Sequence, residues 1–88
     1  MAFIRRRVEA GSDGCTEVYY RNDRGATVGV LALAPADDGE DPSPRTFFWE
    51  YHSDIGDVGH MADLGAALTM AATDAQEWLA GNAAPEGE

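Results

Sequence analysis

The stretch MADLGAALTMAATDAQEWLAGN, residues 61–82, has a clear helical period, and it constrains everything upstream of it. Met61, Leu64, Leu68, Ala71, Ala72, Ala75, Trp78 and Leu79 recur at helical spacings and make one apolar stripe, while Asp63, Thr73, Asp74 and Glu77 lie away from it. Gly81 and Asn82 suit the C-terminal cap, and Pro85 discourages continuation. Such a helix must lie on something, and one helix covers one face of one sheet.

The rest of the chain supplies that sheet. AFIRRRVE (2–9), TEVYYR (16–21), ATVGVLALA (26–34) and RTFFWEYH (45–52) alternate in the manner of strands, separated by GSDG (11–14) and NDRG (22–25), which have turn chemistry. The predicted fold is therefore α+β: an antiparallel sheet of three to four strands with one C-terminal amphipathic helix packed on one face, in the order β-β-β-β-α. Alternation assigns Val18, Tyr20, Val28, Val30, Phe47, Trp49 and Tyr51 to the covered face. Arg5, Arg7, Glu17, Tyr19, Arg21, Leu31, Leu33 and Phe48 fall opposite. That second face is too apolar near its middle to stay wet, so a homo-oligomer through the uncovered sheet face is expected. Arg6 is the odd member of its strand, sharing a side with Ile4 and Val8; it is expected to snorkel or to pair with a carboxylate at the sheet rim.

With 88 residues the chain has room for one core. Residues 1–82 are expected to form a single compact domain, with a mobile acidic loop at 35–44 and a disordered tail at 83–88. The one cysteine, Cys15, cannot form an internal disulfide, which points to a reducing, cytoplasmic setting. No segment has the length and apolarity of a membrane span. The basic residues are all arginine, beside abundant alanine, glycine and aspartate, as GC-rich bacterial or phage codons would produce.

Charge is the most informative bulk property. Residues 1–34 hold five arginines against four carboxylates, whereas residues 35–88 hold Arg45 against twelve, for a net charge of −10. A chain this negative repels phosphate backbones, so no direct nucleic acid, no membrane and instead a basic protein is the expected partner. The candidate contact residues are Asp37, Asp38, Glu40 and Asp41 in the loop and Asp63, Asp74 and Glu77 on the helix. A sharper form is a nucleic-acid mimic that inhibits or regulates a basic nucleic-acid-binding protein by presenting carboxylates where phosphates would sit. The aromatic run FFWEY could also stack bases, but in a small chain its rings are expected in the core.

HSDIGDVGH, residues 52–60, gathers the residue types of a metal site: His52, Asp54, Asp57 and His60. Their spacing matches no compact ligand motif, and a strand-to-helix bend with helix-capping carboxylates explains each residue separately. A metal-binding domain with its site in this loop is the alternative reading. Cys15 and Ser53 have no base and orienting group placed beside them by the sequence, so no catalytic residue, enzyme activity or cofactor is expected.

Ala67, Leu68, Ala71, Asp74, Trp78 and Leu79, in ALTMAATDAQEWL, resemble the C-terminal helix of HicB-type antitoxin domains, where an Ala-Leu start and a Trp-Leu close also follow strands and a polar bend. The resemblance implies a small protein that binds and neutralises a basic RNA-cleaving toxin. The chain departs from that pattern in lacking the family's early helix and its Pro-Gly-Cys-type bend.

Overall fold

The computed structural model describes residues 3–36, 43–51, 58–81 and 83–87, with backbone only for 58–60. Among these the chain forms four strands and one α-helix: β1 (Arg5–Ala10), β2 (Thr16–Arg21), β3 (Thr27–Ala34), β4 (Arg45–Glu50) and α1 (Val58–Gly81). The strands make one antiparallel meander in the order β1-β2-β3-β4. The β-β-β-β-α arrangement expected from the sequence is the arrangement observed. No helix among the described residues is long and apolar enough to cross a membrane.

Local chemistry sets the connections. A single 3-10 turn at Ser12–Gly14 joins β1 to β2, and Asp13 and Gly14 both take positive φ there, as Asp and Gly tolerate. The β2–β3 hairpin closes at NDRG. The Asn22 side-chain Oδ1 accepts from the backbone N–H groups of Arg24 and Ala26, both at 3.0 Å, and Gly25 supplies the left-handed φ.

The register fixes the two faces. Tyr20 pairs with Gly29 but Arg21 pairs with Thr27, so Val28 is an extra residue in a β-bulge. The bulge places Val28 in the core together with residues of the other parity further along β3, namely Leu31 and Leu33. These pack with Val18 and Tyr20 of β2 against Ala67, Ala71 and Trp78 of α1, and Ile4, Val8, Phe48, Met70 and Ala75 surround them. Alanines at the contact let the helix axis approach closely. Trp78 both fills the core and donates its Nε1–H to the Ala34 carbonyl at 3.0 Å, so its polar atom is satisfied.

Gly29 explains how β4 seats. The Phe48 ring lies where a Cβ on Gly29 would be, which lets Phe48 approach Tyr20 at a centroid distance of 6.2 Å in tilted geometry. Phe48 is thereby drawn under α1, and its neighbours Phe47 and Trp49 must point the other way.

Two expectations about faces are corrected by this packing. Leu31, Leu33 and Phe48 lie beneath the helix, whereas Phe47, Trp49 and Tyr51 are 60%, 47% and 46% exposed. Val30 also stands on the uncovered face, where Tyr19 and Trp49 flank it in register and bury it. The helix is likewise rotated from its expected stripe. Its inward line runs Asp63, Leu64, Ala67, Ala71, Asp74 and Trp78, leaving Met61, Leu68 and Leu79 exposed. After α1, Gly87 returns against Val8 of β1.

Candidate functional site

Two groups of side chains stand out, one under the helix and one on the bare face of the sheet. Under the helix, Asp74 is 2% exposed and is a multiple acceptor. Arg6 donates to it in a two-pronged pair, Nε to Oδ2 at 2.8 Å and Nη2 to Oδ1 at 3.1 Å, and the Tyr20 hydroxyl donates to Oδ2 at 2.6 Å. A buried carboxylate is tolerated only with charge-assisted donors of this kind. The Asp74 carboxylate holds the Arg6 guanidinium charged against the burial that opposes it. Burial, reinforced by the neighbouring carboxylate, pushes the Tyr20 phenol well above its ordinary pKa.

A second clamp ties the hairpin to the first turns of α1. Asn22, whose Oδ1 organises the turn, donates its Nδ2 to Asp63 Oδ2 at 3.1 Å. Asn22 and Asp63 are both buried, Asp63 at 7% exposure. These contacts pin the helix at two points along its length to the hairpin end of β2, and neither carboxylate is presented to solvent.

On the uncovered face the register lays the side chains in rows. One row reads Arg5, Arg21, Thr27 across β1 to β3, with Tyr51 beyond β4, its backbone N–H donating to the Val28 carbonyl at 3.4 Å. The next reads Arg7, Tyr19, Val30, Trp49, and the third Glu9, Glu17, Ala32, Phe47. Arg45 follows opposite Ala34. Four of the chain's six arginines thus share a face with three exposed aromatic rings. Arg7 Nε pairs with Glu9 Oε1 at 2.7 Å, and the Arg5 guanidinium lies 5.1 Å from the centroid of the exposed Phe3 ring. Tyr19, Ala26, Thr27 and Tyr51 line an open groove of about 410 Å³ on this face.

The structure divides the residues named from sequence. Asp63 and Asp74, expected as outward contacts, are internal acceptors; the expectation failed because each sits on the helix line that meets fixed donors of the sheet. Glu77 is exposed, as a contact residue must be. Asp37, Asp38, Glu40 and Asp41 lie outside the described residues, as do His52, Asp54, Asp57 and the side chain of His60. Among the described residues, no three His, Cys, Asp or Glu side chains group so as to hold a metal ion. Cys15 is half-buried at the start of β2, its backbone closing the 3-10 turn.

Sequence reasoning missed Tyr20 and Asn22 as polar anchors. The usable signal was Arg6 itself. Its parity with Ile4 and Val8 demanded an acceptor above the sheet, and a helix carboxylate is what it finds.

The fold and its two faces define a class: a small α+β domain with one side of a four-stranded meander sealed by a helix and the other bearing aromatic rings and arginines. No protein-family model, curated protein or solved structure matches the chain, so the antitoxin resemblance of the helix stands without support from these comparisons.

Proposed function

We propose that this chain is a small, non-enzymatic protein-interaction domain whose apolar working surface is the uncovered sheet face. The observation that carries the reading is the exposure of Phe47, Trp49 and Tyr51 side by side on one strand and its extension. A fully exposed ring presents roughly 150–250 Å², so these three together leave on the order of 300 Å² in water, within the range of the largest apolar patch on a typical monomer, which is often functional. Arginine and aromatic residues are also the types enriched in protein interfaces.

The charge adds a second surface. The arginines concentrate on the sheet face of a chain whose net charge is −10, so the remainder is more acidic than the total suggests. A basic protein, including a nucleic-acid-binding one that this chain would inhibit or regulate, is the partner this charge favours, with Glu77 the exposed member of its expected contact set among the described residues. A pull-down from native-host extract at low and high salt tests the reading. A basic protein should be captured at low salt and released as salt rises. Capture of nothing at low salt would remove it.

A further inference from the structure

We infer that a second copy of this chain covers the open face, with the two sheets packed face to face about a two-fold axis parallel to the strands. The inference rests on the interaction reading above and names the occupant of its apolar surface. Strand spacing and rise give a face of roughly 20 by 20 Å. Two such faces bury roughly 800 Å² in projection, the size of a weak, reversible interface.

The layout of the rows selects the second copy and the axis. Arg5, Arg7 and Arg21 occupy the β1–β2 half of the face, and the exposed aromatic rings occupy the β4 side, which Arg45 begins. A two-fold axis along the strands keeps each row level and reverses its order, so β1 of one copy lies over β4 of the other. Arg7 then meets Trp49 of the second copy, Tyr19 meets Val30, and Arg5 meets Tyr51, each contact occurring twice. Guanidinium groups over aromatic faces are favourable, and more so once water is excluded. Glu9 and Glu17 approach the end of the second copy's β4 that bears Arg45. The other in-plane axis, across the strands, would stack Arg7 on Arg7 and Trp49 on Trp49 in the middle row, and its compensation, Arg5 and Arg21 over Glu9 and Glu17, falls in the outer rows. Aligned sheets cross at about 30°, which keeps the middle row, Arg7 to Trp49, in contact while the outer rows splay.

Net charge gives the contact an unusual salt response. Two copies at −10 repel each other at long range, and added salt screens that repulsion while the desolvated contacts are screened less. Dimerisation should therefore strengthen with salt, opposite in sign to capture of a basic partner.

Sedimentation velocity on the purified full chain, from about 0.05 to 0.5 M salt, reads this directly. A dimer favoured by salt is expected. Trp49→Lys should make it monomeric with an unchanged far-UV spectrum, Arg7→Ala should weaken it about tenfold, and Leu68→Lys on the exposed helix should leave it intact. A monomer at every salt, or a dimer that survives Trp49→Lys, would overturn the inference. So would a monomer that binds a single-stranded oligonucleotide through Trp49. A monomer that still captures a basic protein would overturn it while leaving the interaction reading standing.

Discussion

The two faces of this sheet are built from similar amounts of apolar material and are held in opposite ways. Beneath α1, Tyr20, Leu31, Leu33 and Phe48 interlock with alanines and Trp78, and every charged group placed there has a fixed counterpart. On the other side, Phe47, Trp49 and Tyr51 stand beside arginines with nothing of the described chain over them. Hydrophobic content therefore does not say which face a helix will cover. The choice falls to the face that can supply donors to the helix carboxylates and a gap for a ring: Arg6, Tyr20 and Asn22 provide the donors, and Gly29 provides the gap.

Asp74 offers the strongest way to break that contrast. Asp74→Ala strands the Arg6 guanidinium and the Tyr20 hydroxyl beneath the helix, and loss of one partner from such a pair should cost about 3 kcal/mol of unfolding free energy by denaturant titration. The equivalent truncation of exposed Glu77 should change stability by less than about 0.5 kcal/mol. Equal effects at the two positions would mean that the buried pair does not anchor the helix. Gly29→Ala comes next. Its new Cβ must displace the Phe48 ring, an overpacking expected to cost about 1–3 kcal/mol. Pairing it with Phe48→Leu should recover part of that loss if the close approach is its cause.

Alkaline pH probes the covered face most strongly, the Tyr19 phenol of the open face being raised as well, by burial and by the neighbouring Glu17. The folded-state pKa of Tyr20 is raised above the unfolded value near 10.0, so the native state keeps a proton that the unfolded chain releases. Its contribution is complete below pH about 10 and declines as pH rises beyond it. Chemical denaturation from neutral to alkaline pH should show falling stability, and Tyr20→Phe should flatten the alkaline limb at the expense of its hydrogen bond to Asp74. An unchanged slope in that variant would assign the titration to another group.

How much of this was legible in sequence follows from the range of each interaction. The strands, the two turns and the helix depend on local alternation and on Asn, Asp and Gly at bends, and were readable; strand order, and whether residues 2–9 join the sheet, were not, because pairing between strands is set by contacts distant in sequence. The faces were not. RTFFWE carries apolar side chains on both parities, so counting rings placed Phe47 and Trp49 inside when one ring, Phe48, fits against Gly29. The bulge at Val28 switched parity within β3, and the one sign of it was Gly29 beside it, a glycine inside a strand pattern. For the carboxylates, the determining contact spans 68 residues, from Arg6 to Asp74, and helical periodicity alone treats an aspartate as outward. Only the misplaced parity of Arg6 hinted at the pair, and it did not say which carboxylate would answer.

The open face supplies the smallest expected effect and the sharpest contrast. Trp49 is the largest ring on it and flanks Val30, yet it is half exposed, a lysine stem can lie over Val30 in its place, and no hydrogen bond within the monomer is stranded. At low protein concentration, Trp49→Lys should therefore unfold within about 0.5 kcal/mol of the parent. At high concentration the parent alone should gain stability, because association of the native state adds free energy by mass action. A variant less stable than the parent even at high dilution would show that Trp49 supports the monomer's own core. The two faces would then differ in degree and not in kind.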